Sequence, residues 1–159
     1  MKEENVFQFV PLSKEELRNR KKAEAEEKSA VKRSKTKEGK EEIEKIKNYM
    51  GALHFPLRFI DSIKSIRATK DKTLYVVRII ETISHRQNQT IAPYPWRDEK
   101  FLTIFCVAVS RYGKITCKEI LEFMDLEDWV RDDYYAPPGG ITVQQAFEKK
   151  LESFIKEVI

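Results

Sequence analysis

Hydrophobic positions recur at helical spacing in two stretches of the chain. Between residues 43 and 53, and again between 146 and 158, apolar side chains are spaced by three or four residues, which predicts an amphipathic helix in each stretch. The first helix is expected to end at His54, because a residue soon followed by proline leaves the helical region. The second is preceded by Thr142 and Gln145, the spacing of a capping box. The pattern therefore predicts helices over 40–54 and 142–158.

Two further capping boxes predict helix starts. Ser13 is followed three residues later by Glu16, which predicts a helix from about Lys14. Thr116 and Glu119 have the same spacing, and an apparent buried face follows them at Ile120, Leu121, Phe123 and Met124. We therefore expect a helix over 116–129 as well.

Two stretches have the composition of β-strands. Residues 73–84 are rich in β-branched side chains, and residues 101–110 are apolar at nearly every position, which is typical of a central strand. Residues 59–66 fit either a strand or a helix, and 111–114 predict a turn. The expected fold class is α+β, with a small antiparallel sheet of about three strands packed against two or three helices.

Residues 18–42 contain almost no large apolar side chain and no heptad repeat. They predict a charged N-terminal helical arm that projects from the body and is interrupted near Gly39. The expected organisation is a charged tail and arm over 1–39 and a compact domain over 40–159. The short apolar tail before Ser13 would suit docking onto the body or exchange between subunits, so a homo-oligomer is one expectation.

Composition narrows the class of protein. The chain has 159 residues, of which 35% are charged and 41% apolar, so it is too apolar for a fully disordered protein. The net charge of +4 is a mild excess. The two cysteines have no partner at metal-ligand spacing, and no segment is long and apolar enough to span a membrane. These features predict a reducing, cytoplasmic location without a membrane anchor or signal peptide.

The arm is the first candidate for a binding surface. Residues 13–40 contain 11 basic and 6 acidic side chains. A basic helix without an apolar face gains affinity for nucleic acid by replacing counterions along the phosphate backbone. The alternative is a solvated or partner-binding arm, because Glu24, Glu26 and Glu27 offset the positive charge. The residues predicted to contact nucleic acid are Arg18, Arg20, Lys21, Lys22, Lys32, Arg33 and Lys35.

The long connection between the two strands is the second candidate. It is expected to be a loop over 85–100, far longer than the usual hairpin turn, and it contains Tyr94, Trp96 and Arg97. These residue types dominate binding hot spots and stack on unpaired bases. The alternative is that the aromatic side chains fold back as a lid on the core.

An acidic, aromatic segment is the third candidate. It contains Asp132, Asp133, Tyr134 and Tyr135 and continues into Pro-Pro-Gly-Gly. Its charge opposes phosphate contact and favours a protein partner with a basic surface. The alternative is an ordinary connector that ends one helix and positions the next.

Catalytic chemistry is represented only by fragments, so we do not expect an enzyme. His54 and His85 are the two histidines, and nothing in the sequence brings them together. The run Asp98-Glu99-Lys100 resembles part of a carboxylate–lysine metal nuclease, but such matches are common at this charge density. No metal site and no cofactor are expected.

The sequence thus favours a non-enzymatic binding module, an accessory nucleic-acid-binding protein of viral, mobile-element or nucleic-acid machinery. Its partner would be DNA or RNA, or a protein of that machinery. The alternative is a protein-interaction factor, either an inhibitor of a host enzyme or a structural assembly subunit, that uses the arm and the acidic loop.

Overall fold

The computed structural model describes residues 13–86, 96–131 and 140–159. Four helices and four strands make up these ranges, with a short 3-10 turn at Leu57–Phe59 before the first strand. In chain order they are α1 (Lys14–Ser34), α2 (Lys37–Ala52), β1 (Ile60–Ala68), β2 (Lys72–Arg86), β3 (Trp96–Ser110), β4 (Ile115–Asp125), α3 (Leu126–Val130) and α4 (Val143–Val158).

The four strands form one antiparallel sheet in the order β1-β2-β3-β4. Each strand pairs with its neighbour in sequence, so the topology is a simple meander. This confirms the expected α+β class, with four strands in place of about three. The predicted strands at 73–84 and 101–110 are β2 and β3, and the ambiguous stretch at 59–66 is β1.

Strand β3 is central, as its two apolar faces predict. Phe105, Val107 and Val109 pack with α2 through Ile46 and Met50. The alternate positions of β3 face the other side of the sheet, where they contact the apolar stripe of α4 and the short helix α3: Leu102, Ile104, Cys106 and Ala108. Helices therefore cover both faces of the sheet.

The helix ends follow the expected capping chemistry. The Ser13 side chain accepts a hydrogen bond from the amide of Glu16, and Thr142 and Gln145 form the complete capping box. Helix α2 ends with hydrogen bonds from the amides of His54 and Phe55 back to its last turn. His54 has a φ of 70°, the left-handed conformation that closes such a helix end. The histidine therefore has a structural role at this position.

Helices α1 and α2 are separated at Lys35 and Thr36 rather than at Gly39. Gly39 lies in the first turn of α2, where its amide donates to the Thr36 hydroxyl at 3.0 Å. A Cβ atom at this position would lie 2.0 Å from the carbonyl oxygen of Arg33. The glycine is thus required by the close approach of the two helices, and the expected boundary between arm and body falls inside α2.

The predicted helix over 116–129 is wrong, because residues 115–125 form strand β4. Two register shifts in the β3–β4 pairing each insert one extra residue into β4. These bulges place the apolar residues Cys117, Ile120, Leu121 and Met124 at intervals of three, one and three, which imitates a helical stripe. Hydrogen bonding to β3 overrides the local pattern, and only Leu126–Val130 is helical.

The expectation that the arm projects from the body is also wrong. Helix α1 lies against the outer strand β1. Ala30 is fully buried, and its carbonyl oxygen accepts a hydrogen bond of 3.0 Å from Ser65 on β1. The helix therefore covers a strand that has only one partner in the sheet.

The expected loop over 85–100 is β-strand at both of its ends, and its middle part, residues 87–95, lies outside the described residues. Strand β2 continues to Arg86 and β3 begins at Trp96, and the two pair along this whole length. Pairing of β2 with β1 ends at Ile79, and pairing of β3 with β4 ends at Phe101. Residues 82–86 and 96–100 therefore extend past both neighbouring strands as a two-stranded ribbon, about 17 Å long at 3.3 Å per residue.

Among the residues that the structure describes, no helix is long and apolar enough to cross a membrane.

Candidate nucleic-acid interface

The outer side of α1 carries a row of basic side chains. Lys14, Lys21, Lys28 and Lys35 recur every seven residues, about two helical turns, so they lie nearly above one another. Arg18 and Lys32 each lie three or four residues from members of this row, and Lys22 lies four residues after Arg18. We call the exposed set the α1 basic row: Lys14, Arg18, Lys21, Lys22, Lys28, Lys32 and Lys35.

The opposite side of α1 faces the protein. Ala30 is nine residues from Lys21, about two and a half turns, and is therefore on the far side of the helix from it. Because Ala30 is buried against β1, the side of α1 that carries Lys14, Lys21 and Lys28 points away from the body, whereas Lys22 lines a groove between α1 and α4. Packing of α1 thus fixes which of its charges face solvent.

Three of the five acidic side chains of α1 have intramolecular partners. On β1, Arg67 lies 3.4 Å from Glu26 and 3.9 Å from Glu27. Glu24 is 4.0 Å from Arg20 on the helix surface. The glutamates that offset the positive charge of this segment in the sequence are therefore partly neutralised. This leaves the outer side of α1 more basic than the helix as a whole.

Arg33 has a structural partner, although the sequence assigns it to the binding surface. Its Nε donates to Glu42 Oε1 at 3.0 Å and its Nη2 to Oε2 at 3.2 Å, so α1 and α2 are joined by a two-point ion pair. Glu42 is 5% exposed, and Tyr75 on β2 donates to its Oε1 at 2.7 Å. This carboxylate ties both helices to the sheet.

Arg111, in the predicted turn after β3, completes the same cluster. Its Nη1 donates to Glu42 Oε2 at 3.2 Å and to the Thr73 hydroxyl at 2.7 Å. Its Nη2 donates to the carbonyl oxygen of Thr69, and its Nε donates to that of Lys70 at 3.2 Å. The β1–β2 turn is thereby joined to the β3–β4 turn, where Gly113 has a left-handed φ of 86°.

Burial and neighbouring charges have opposite effects on the pKa of Glu42. Burial raises the pKa of the Glu42 carboxyl, but hydrogen bonds from Arg33 and Tyr75 and the charges of Arg33 and Arg111 lower it, and the net pKa is below its ordinary value. The hydrogen bond to Glu42 raises the pKa of Arg33. Burial raises the pKa of Tyr75 most, and the neighbouring Glu42 raises it further. Glu42 is therefore charged and Tyr75 neutral at pH 7.

The remaining predicted site residues are placed as follows. Trp96 and Arg97 lie in β3, opposite Arg86 and His85 of β2, so they belong to the ribbon rather than to a loop. Tyr94 lies outside the described residues. So does the whole acidic segment, Asp132, Asp133, Tyr134 and Tyr135.

Lys14 and Lys28 lie outside the densest basic runs of the sequence and were therefore not among the residues predicted to contact nucleic acid. Their signal was present in the sequence, because both continue the seven-residue spacing of Lys21 and Lys35. Arg111 carried no such signal, since its partners are 38 to 69 residues away along the chain.

Within 13–86, 96–131 and 140–159, no group of three or more His, Cys, Asp or Glu side chains is arranged to hold a metal ion. Compared with known proteins, the chain matches no protein-family model, no curated protein and no solved structure.

Proposed function

We propose that this chain is a non-enzymatic nucleic-acid-binding module, an accessory protein of viral, mobile-element or nucleic-acid machinery, whose α1 basic row contacts the phosphate backbone. The observation that carries the proposal is the segregation of charge on α1. One side packs on β1 with its glutamates paired to Arg67, and the other exposes the row. A row of lysines releases counterions when it binds phosphates, and the affinity that results is salt-dependent.

Duplex nucleic acid suits this surface better than a single strand. From Lys14 to Lys35 the row is about 32 Å long at 1.5 Å per residue, close to the roughly 34–36 Å of one turn of B-DNA. Surfaces that bind single strands rely on aromatic side chains for stacking, and α1 contains none.

The β2–β3 ribbon is the second proposed contact. A two-stranded ribbon has the width to enter the major groove of a duplex. His85, Arg86, Trp96 and Arg97 lie toward the end of this ribbon, next to the segment that contains Tyr94. In this proposal α1 supplies affinity and the ribbon supplies contacts to the grooves or bases.

The proposal is tested by measuring equilibrium binding to a fluorescent duplex by anisotropy. The variant Lys14→Gln/Lys21→Gln/Lys28→Gln removes three charges from the row without touching Glu42 or its partners. The control Lys118→Gln/Lys149→Gln/Lys150→Gln removes three exposed charges from β4 and α4. We expect the first variant to bind at least about tenfold more weakly and the control to bind nearly as the native chain does.

Equal binding by both variants, or no duplex binding by the native chain at low salt, would contradict the proposal. The alternative hypothesis of a protein-interaction factor, which depends on Asp132 and Asp133, would then be tested next.

A further inference from the structure

A basic pocket of about 430 Å³ lies where α1 ends and two turns of the sheet meet. It is formed by the last turns of α1, the junction with α2, the β1–β2 turn and Arg111. Four of its lining residues are cationic, three carry hydroxyls and none is acidic: Ser29, Lys32, Arg33, Thr36, Ala68, Thr69, Lys70 and Arg111.

Several donors at this pocket are uncommitted. Neither Lys32 nor Lys70 has an ion-pair partner in the described part of the chain. Arg33 uses Nε and Nη2 on Glu42, while its Nη1 finds no acceptor among the same residues. Arg111 differs, because all three of its guanidinium nitrogens are already bonded. It contributes charge to the pocket rather than a free donor.

The pocket is held in shape before any ligand arrives. Glu42 fixes the guanidinium groups of Arg33 and Arg111 from the buried side, so neither pays a large entropy cost on binding. Two arginines share this one buried carboxylate, which leaves one positive charge in excess. Glu38 also acts on Arg33 but does not line the pocket. Lys32 and Lys70 add two further positive charges, so a bound anion would offset part of the excess.

We propose that this pocket binds a phosphate group, held by Lys32, Lys70 and the free Nη1 of Arg33. A phosphate offers several acceptor oxygens and up to two negative charges, which matches a pocket lined by several cationic side chains. The source of that phosphate rests on the proposed function. Lys32 belongs to both the pocket and the α1 basic row, so a nucleic acid lying along α1 would place a phosphate at the pocket.

The first test uses inorganic phosphate and the folded, full-length chain. Amide NMR signals of Thr69, Lys70 and Asp71 should shift saturably with phosphate, and should not shift with chloride at the same ionic strength. Lys70→Gln should weaken this binding about fivefold or more, whereas Lys149→Gln on α4 should not change it. Signals that do not saturate, or that saturate equally in Lys70→Gln, would overturn the phosphate site.

The second test separates the phosphate sources and the two proposals. Binding by Lys70→Gln is measured with duplexes that carry or lack a 5′-phosphate. Weaker binding of the phosphorylated duplex alone identifies a terminal phosphate, and weaker binding of both identifies the backbone. If the triple variant of the basic row retains the phosphate-induced shifts but loses the duplex, both proposals stand. If the native chain binds phosphate through Lys70 but no duplex, the site stands and the proposed function fails. If Lys70→Gln binds every duplex normally, nucleic acid is excluded as the source.

Discussion

Tyr75 on the central part of β2 donates a hydrogen bond of 2.7 Å to Glu42 on α2. The same carboxylate accepts hydrogen bonds from Arg33 on α1 and from Arg111 after β3. One buried acid therefore joins the basic helix to the sheet. The orientation of the α1 basic row depends on this cluster, together with the contact of Ala30 with β1.

Removing the charge of Glu42 should destabilise the fold. In Glu42→Gln, two arginines remain at the site without their counterion, and breaking one member of a buried ion pair costs about 3–5 kcal/mol. The side chains of Arg33 and Arg111 are 23% and 24% exposed, so we expect the lower end, about 3 kcal/mol. Urea unfolding measures this change.

The matched control is Glu44→Gln on the same helix. Glu44 is exposed and, among the described residues, pairs only with Lys47 at 3.3 Å, so its loss should change the free energy of unfolding by less than about 0.5 kcal/mol. Equal effects of the two substitutions would contradict the structural role of Glu42.

Protonation of Glu42 at low pH should remove its contribution to the free energy of unfolding. Its pKa in the folded state is below the ordinary 4.5, so the stabilisation is complete above the unfolded pKa and is lost as pH falls through the folded value. We expect the difference in unfolding free energy between the native chain and Glu42→Gln to be constant from pH 7 to about 5, and to shrink below about 4.5. A difference that is independent of pH down to about 3 would contradict this linkage.

Two glycines of α2 should respond in opposite directions to the same substitution. A helical glycine replaced by alanine normally gains about 1 kcal/mol of stability. Gly51→Ala should show this gain, because nothing lies within 4 Å of the added Cβ. Gly39→Ala should instead lose about 2 kcal/mol or more, because its Cβ would clash with the backbone of Arg33. Thermal unfolding of the two variants checks the sign, and stabilisation by Gly39→Ala would show that the α1–α2 junction is looser than described.

The two thiols should react slowly in the folded chain. Burial raises the pKa of Cys106 to about 12 and that of Cys117 to about 11, so little thiolate is present near about pH 8. They also lie on opposite faces of the sheet, which prevents their pairing as a disulfide. Ellman's reagent should therefore react rapidly only in denaturant. Rapid reaction of either thiol under native conditions would disagree with its burial.

Local rules predicted much of this fold because they act between residues close in sequence. The cap at Ser13, the box at Thr142 and Gln145, and the apolar run of β3 depend on neighbours alone. Strand β4 did not follow them, because its bulges imitate helical spacing and only pairing with β3 decides its conformation.

The candidate site was predictable to a similar extent. The lysines of α1 are visible in sequence, but the side of the helix they occupy depends on where Ala30 packs. Arg33 also has a structural partner that no sequence pattern reveals, because Glu42 lies nine residues away on the next helix. The pocket at Arg111 and Lys70 required contacts across the sheet, which no single-sequence pattern contains.

If the α1 basic row contacts phosphates, its lysines should set the salt dependence of duplex binding. Each phosphate contact contributes about 0.9 to the slope of log K against log salt for B-DNA, so Lys14→Gln/Lys21→Gln/Lys28→Gln should reduce the slope by about 3 relative to the native chain. The control Lys118→Gln/Lys149→Gln/Lys150→Gln should keep the native slope. A triple variant of the row whose slope equals that of the native chain would show that α1 does not contact the backbone.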